Sequence, residues 1–472
     1  MSFIRFKKFG KKEYAYEVES YWDPKTKKPR QKSKYLGVVI DKEKKLFEKK
    51  EKRENEKLIL DFGDSYILNK FMNNIGYLKM IKDVFKNDSN QLLSLITYKL
   101  CYPSAMSHAQ SWYDGNAASL LYGDIDLSSQ RISEFLEIIG DESIQRDFFK
   151  NYISTFLNAK DGVIIDTSAL PNEIHFPYNA WGYNDGDIDK QIKLLFVIDK
   201  DSSLPIFFRY LPGNIVDVSA LRATIDELDK YNVKKNLVIL DAGFYSEDNI
   251  KDLYKNGIMF LTRLPASRNL YKDLIIHETG DIEKFENAVR YGKRALFIKQ
   301  KKIDLFGNEA YAHIVLDPKR KGREMSKTLL DAIDEKKADE KEIEFKLMKK
   351  GIMILISAFK IDKKDLVPLF YTRLSVEKLF RFSKSDLKLL PLRVHKDKTL
   401  RGYLFLIFVT LILYIKLKEK IGLDYSVNEI LLIMRNLKSK IYDKDVLIQE
   451  LTKQQKDITK KLEIIVPKNM GI

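Results

Sequence analysis

The stretch DGVIIDTSAL, residues 161–170, decides how the rest of the chain is read. Its apolar centre is short and β-branched and runs into Asp166, the pattern of a buried strand ending in a carboxylate. Outward from it, QIKLLFVID (191–199) and LPIFFRYL (204–211) flank the turn KDSS and read as a hairpin. After Pro212-Gly213-Asn214 a helical pattern runs from about Val218 to Tyr231, followed by NLVILDAG (236–243), a second strand ending in an aspartate, Asp241. SEDNIKDLYKNG (246–257) reads as a helix closed by glycine, and IMFLTRL (258–264) as another strand. The order strand, hairpin pair, helix, strand, helix, strand predicts a mixed α/β sheet. Its first three strands are expected antiparallel, the later ones parallel through right-handed helical connections.

Between about 269 and 350 this rhythm is interrupted. YGKRALFIKQKKIDLFGNEAYAHIVLD alternates like strands, and very charged sequence follows from Pro318 to Lys350. GIMILISAF (351–359) resumes a buried-strand pattern and leads into FYTRLSVEKLFRFSK (370–384). As one helix this last stretch would put Arg373, Glu377, Arg381, Lys384 and Lys388 on one face, with Val376, Leu379 and Phe382 opposite. Taken alone, that is an amphipathic surface helix with pairs such as Glu377 with Arg381.

With 472 residues, 44% hydrophobic and 12% aromatic, the chain has apolar surface enough for several cores and is not a disordered tail. The formal charge of +16 favours a polyanionic partner, although the wealth of Lys, Ile, Asn and Tyr also fits an AT-rich coding sequence. A single cysteine, Cys101, excludes an internal disulfide, and with five histidines it excludes a Cys/His zinc site; a reducing, cytoplasmic location is expected. The N-terminus MSFIRFKKFGKKEY lacks the apolar core of a secretory signal. The most apolar run, YLFLIFVTLILYI (403–415), has 13 residues, short of the ~20 that span a bilayer, and reads as a buried helix.

Residues 1–40 carry eleven Lys/Arg against four Asp/Glu and alternate basic with aromatic residues. With a linker helix expected over 41–57, they make residues 1–58 a basic β-rich module suited to phosphate contact and base stacking. Residues 59–158 read as a helical, DNA-binding-type domain, with Ser128-Ser129 capping ISEFLEIIG. The interrupted sheet divides into 159–268 and 351–420 around an inserted β-rich subdomain, 269–350; residues 421–472 have helical periodicity, with dimerisation as a possible role.

Three acidic residues stand out: Asp166 and Asp241 at the ends of strand-like runs, and Glu377 downstream. Carboxylates at adjoining strand ends can hold two hard divalent cations roughly 4 Å apart, the arrangement used in phosphodiester cleavage. Gly243 would allow close backbone approach. Each aspartate alone is also an ordinary turn or helix cap, and the intervals of 75 and 136 residues make no motif unaided. Blander still are His395 in LRVHKDK, the loop aspartates Asp185, Asp187 and Asp189, whose spacing lacks an EF-hand's closing glutamate, Trp181, which reads as an ordinary hydrophobic anchor with stacking on a displaced base as the alternative, and the basic block KRKGRE (319–324).

The sequence resembles the DDE transposases of bacterial insertion sequences, specifically the family-four-like branch with a Tyr-x2-Arg-x3-Glu-x6-Lys signature. Arg373, Glu377 and Lys384 stand at the arginine, glutamate and lysine places; Phe370 stands where the family has tyrosine, with Tyr371 beside it. IIDTSAL and VILDAGFYS are similar to the strands bearing the two aspartates, and LPGNIVDVSAL and KLLPLRVHKDKTLRGYLFLIFVTLIL to the segments after the hairpin and after the glutamate. The likeness spans about residues 160–420.

The resemblance implies an RNase H-like mixed sheet with helices, interrupted by the β-rich insertion and preceded by the small basic β module and the helical domain. It implies that Asp166, Asp241 and Glu377 hold two Mg²⁺ ions, with Mn²⁺ as a substitute, and that Arg373, Lys384 and Tyr371 contact DNA phosphates. The implied reaction is cleavage at inverted-repeat ends and joining of the 3′ ends to target DNA by a homodimer on double-stranded DNA. The alternatives are an inactive end-binding relative and a metal-dependent nuclease without strand transfer.

Overall fold

The computed structural model describes every residue except 1, 10–11, 25–26, 49–56, 158–161, 185–186, 216–217, 336–339, 443–444 and 472. In chain order the elements begin with β1 (Ser2–Phe9), β2 (Lys12–Asp23), β3 (Lys28–Asp41), β4 (Leu46–Glu48) and β5 (Leu58–Asp61). Helices follow: α1 (Gly63–Asn74), α2 (Tyr77–Phe85), α3 (Ser89–Cys101), α4 (Ala109–Asp114), α5 (Ala118–Tyr122), α6 (Ser129–Ile139) and α7 (Glu142–Phe156). The alternating region holds β6 (Val163–Pro171), β7 (Ala180–Asn184), β8 (Asp187–Asp199), β9 (Pro205–Pro212), α8 (Val218–Lys230), β10 (Leu237–Leu240), α9 (Glu247–Lys255) and β11 (Met259–Arg263). Next come α10 (Asn269–Glu278), β12 (Ala288–Tyr291), β13 (Arg294–Leu305), β14 (Asn308–Leu316), α11 (Pro318–Glu335), α12 (Glu340–Met348) and β15 (Ile352–Ser357). The chain continues through α13 (Lys363–Tyr371), α14 (Leu374–Arg381), α15 (Asp397–Ile421), α16 (Val427–Arg435), β16 (Lys438–Ile441), β17 (Asp445–Ile448), α17 (Lys453–Lys461) and β18 (Asn469–Gly471).

Two compact units result. One comprises residues 1–60, 439–449 and 467–472; the other comprises residues 61–438 and 450–466. In the first, β1 to β4 form an antiparallel sheet in sequence order. The helix expected over 41–57 is absent where the chain is described: the Asp41 carboxylate accepts from the Glu43 and Lys44 amides, reversing the chain into β4 against β3. Residues 49–56 lie outside the described residues. The C-terminal segment read as helical holds α16 and α17, each with a reciprocal capping box, and also three short strands.

The second unit is built on a mixed sheet of ten strands in the order β12-β13-β14-β15-β11-β10-β6-β8-β7, with β9 also on β8. β6, β8 and β9 pair antiparallel, while β10 runs parallel to β6 and to β11. β10 and β15 are buried along their whole length, as the apolar runs LVIL and IMILI require of strands covered on both faces. The segment 269–350 adds β12, β13 and β14 to the edge of this same sheet through β15, and its charged part forms α11 and α12. A buried polar chain ties these strands. Ser357 donates to the Phe359 carbonyl, so His313 Nε2–H donates to Ser357 Oγ (2.7 Å) and Nδ1 accepts from Gln300 (3.0 Å); burial lowers the His313 pKa to about 4.

α15 is long and apolar enough to cross a membrane by length and composition, yet 83% of its most apolar window is buried inside the fold. It crosses α6 at backbone contact. A Cβ on Gly402 would stand 1.8 Å from the Leu136 carbonyl oxygen, and one on Gly140 1.9 Å from that of Lys398.

Candidate active site

The sheet itself brings the two aspartates together. β6 continues five residues past Asp166, so this carboxylate lies within the strand and not at its end as expected, opposite Phe196 of β8. β10 ends at Leu240, and its parallel register pairs Leu240 with Ile165. One step further along both chains sets Asp241 abreast of Asp166, and neighbouring strands lie about 4.8 Å apart.

Glu377 comes from the other side. The helix expected from 370 onward is broken at Thr372-Arg373, separating α13 from α14, so Arg373 is the N-cap of α14 and Glu377 lies in its first turn. α14 runs into a π-helical turn, Phe382–Asp386, and Lys388 beyond it adopts a positive φ, so the five-residue charged face ends before Lys388. Glu377 pairs with Arg373 and not with Arg381, which lies over the Phe382 ring.

Arg373 is the hub. Its Nη1 donates to Asp166 Oδ2 (2.9 Å) and reaches Asp241 Oδ2 at 3.5 Å, while Nη2 donates to Glu377 Oε1 (3.0 Å). Three carboxylates thus share one guanidinium, which leaves net negative charge at a partly buried place. Burial pushes the Asp166 carboxyl up to about 7; the Arg373 charge opposes this, and the Asp241 and Glu377 charges add to it. Asp241 Oδ1 is buried with no hydrogen-bond partner among the described residues, while the Asp241 carbonyl accepts from Thr262 of β11.

An all-carboxylate set with an unsatisfied buried oxygen suits a hard divalent cation, which takes oxygen ligands. Among the described residues no group of three or more His, Cys, Asp or Glu stands ready-made for a metal; here the guanidinium sits among the carboxylates. A cation ligated by all three would displace Arg373.

Lys384 lies on the π-helical turn and donates to Ser168 Oγ (2.8 Å) and to the Ala169 carbonyl (2.7 Å), so it clamps the glutamate segment onto the end of β6. Lys384→Met is expected to cost about 1–3 kcal/mol, read as a lower urea midpoint. An unchanged midpoint would mean that the clamp contributes no stability. Phe370 is buried beneath the Arg373 guanidinium, 5.8 Å from ring centroid to Cζ. Tyr371 stacks on Tyr291 of β12, centroids 5.6 Å apart, instead of joining the carboxylates.

The remaining candidates lie apart from this cluster in their contacts. His395 accepts from the His175 amide; Trp181 is exposed beneath the Lys190 ammonium; Asp187 and Asp189 are exposed on β8, and Asp185 is outside the described residues. In KRKGRE, Arg320 pairs with Glu324 and Lys321 with Glu283. Sequence reasoning missed Thr262 and the bridging position of Arg373, because neither the register of parallel strands nor the break at Thr372 leaves a local signal.

Residues 158–413, more than half of the chain, match the family described as Transposase DDE domain, and the chain belongs to that family. It is therefore a protein of DNA transposition and DNA recombination, with a DNA-cutting enzyme's domain. A cryo-EM structure of piggyBac transposase in a synaptic complex with hairpin DNA is similar at 12% identity and a TM-score of 0.39, over 79% of this chain and 70% of that one. No curated protein matches the chain.

Proposed function

We propose that the chain is the transposase of a bacterial insertion sequence of the family-four-like branch, that its ten-stranded unit is an RNase H-like catalytic core interrupted by residues 269–350, and that it cuts at its element's inverted-repeat ends and joins the 3′ ends to target DNA. The observation that supports this reading is the convergence of Asp166, Asp241 and Glu377 on one guanidinium, two of them abreast on parallel strands. These three would hold two Mg²⁺ ions, or Mn²⁺ in their place. Bound divalent cations would sharpen an attacking hydroxyl and stabilise the departing 3′ oxygen.

The chain's own groups supply the rest. Asp166, largely buried, is held in place by the Thr167 amide, which donates to its Oδ1 at 2.9 Å. Arg373, released from the carboxylates, offers a planar fork for a bidentate phosphate contact on DNA. The Phe370 ring below it restricts where the guanidinium can swing. Lys384 holds the β6 end against the glutamate segment. Tyr371 reaches DNA only from the β12 side, where it stacks. The helical region 59–158 would bind the element ends, a homodimer would pair two ends, and the protein would work at the nucleoid.

The test uses purified protein, a duplex carrying the element's own ends, a target plasmid and Mg²⁺. Cleavage exposing 3′ hydroxyls followed by joined products supports the assignment. Cleavage without joining identifies a nuclease, and end-binding without cleavage an inactive relative.

A further inference from the structure

The antiparallel sheet β1–β3 sorts its charges by face. Strand register places Phe3, Arg5, Lys7 and Phe9 of β1 opposite Val18, Tyr16, Tyr14 and Lys12 of β2. On β3, Tyr35 lies opposite Tyr16, Ser33 opposite Val18, Gln31 opposite Ser20 and Pro29 opposite Trp22. From β1 across to Tyr35 of β3 this face carries three cations, Arg5, Lys7 and Lys12, and no carboxylate; Glu48 of β4, opposite Val38, stands beyond them at the sheet edge.

All four acidic residues of β2, Glu13, Glu17, Glu19 and Asp23, point to the other face, where register neutralises them. Lys8 faces Glu13, Lys34 faces Glu17, Lys32 faces Glu19 and Lys28 faces Asp23, which also pairs with Arg30 at 3.1 Å. Opposite-charge pairs in register are the ordinary stabilising arrangement of a sheet surface. The cations Arg5, Lys7 and Lys12 on the first face have no carboxylate opposite them in register.

That face is also aromatic. Phe3, Phe9, Trp22 and Tyr35 are exposed, and Tyr14 and Tyr16 half-buried. The rings of Tyr14 and Tyr16 lie 6.3 and 5.4 Å from that of Tyr35, the Lys7 ammonium stands 5.4 Å over Tyr16, and the Arg5 guanidinium 5.4 Å over Phe3. Exposed rings on a sheet stack on bases only where the bases are unpaired, since a duplex hides their faces; the interleaved cations meet the phosphates between them.

From this segregation of charge and rings we infer that the β1–β3 face is a binding platform for an unpaired DNA strand, separate from the carboxylate cluster. The interaction rests on phosphate charge and base stacking and needs no divalent metal, so its failure and the failure of the catalytic reading are distinguishable.

The test is binding of the full chain to labelled single-stranded and duplex 30-mers in EDTA, with tryptophan fluorescence followed in parallel. Expected are about tenfold weaker single-strand binding for Phe3→Ala/Trp22→Ala, with duplex binding unchanged, and loss of the stacking quench with Trp22. Arg5→Gln/Lys7→Gln should lower the salt slope of single-strand binding by about 1.4, at roughly 0.7 per phosphate. Lys32→Gln on the opposite face should change neither, and unchanged circular dichroism melts show that the variants fold. Equal losses from both faces, equal losses of duplex binding in the aromatic variant, or single-strand binding unchanged while anionic vesicles are captured through this face would each overturn the proposal.

Discussion

Asp166→Asn is expected to remove strand cleavage and, in the metal-free protein, to raise stability at neutral pH. The first effect follows from the proposed role: an amide brings no charge to a divalent cation, and loss of such a ligand is expected to cost about 10³-fold or more in rate. The second follows from burial. The folded-state pKa of Asp166 is raised to about 7 from 3.8 in its ordinary state, by desolvation and by the neighbouring Asp241 and Glu377 charges against the opposing Arg373. A carboxyl whose folded pKa is raised binds its proton more tightly in the folded chain. Its contribution is therefore fully present below pH 3.8 and is lost as pH rises towards 7. The asparagine variant does not suffer that loss. In chelator, the variant is expected to exceed wild type by about 1–3 kcal/mol at pH 8, and the gap should close towards pH 4. Taking the difference between the two proteins cancels the other titrating groups, including His313, whose lowered pKa acts with the opposite sign. Urea midpoints at the two pH values decide the matter; a gap independent of pH would remove burial as its cause.

Gly402→Val is the largest expected stability loss. A Cβ at this position would sit 1.8 Å from the carbonyl oxygen of Leu136, so α15 and α6 must separate. The obstacle is backbone, which cannot rotate aside as a side chain can. Overpacking of this kind costs about 3 kcal/mol. Gly280→Ala is the control, since nothing stands within 4 Å of its Cβ position. Circular dichroism melts should show a clear fall for the first and almost none for the second. Equal melts would mean that the helices have room to spare at their crossing.

The two predictions bear on different parts of what the sequence reveals. The strands around Asp166 and Asp241 are legible because buried β-branched runs have few other uses, and α15 is legible as a core helix by its length and composition. The hairpin of β8 and β9 is announced by its turn. What the sequence hides is register. Whether β10 pairs with β6 so that Leu240 meets Ile165 is fixed by helices packing on the sheet, and a slip of one residue would turn Asp241 to the other face. The break at Thr372-Arg373 is hidden too, since no glycine marks it, and the proline lies four residues earlier, at Pro368 inside α13. That break makes Arg373 a bridge among the carboxylates instead of one more cation on a solvated face. At the N-terminus the alternation of charge is visible, but the sorting of the β2 carboxylates to one face needs the strand pairing, including the irregularity in β2–β3 pairing at Ala15/Tyr16.

The most direct test of the carboxylate cluster is Mg²⁺-dependent nicking of an end-containing duplex by wild type and Asp241→Ala side by side. The account predicts nicking by wild type that stops with chelator and is absent from the variant. Undiminished nicking by Asp241→Ala would contradict it.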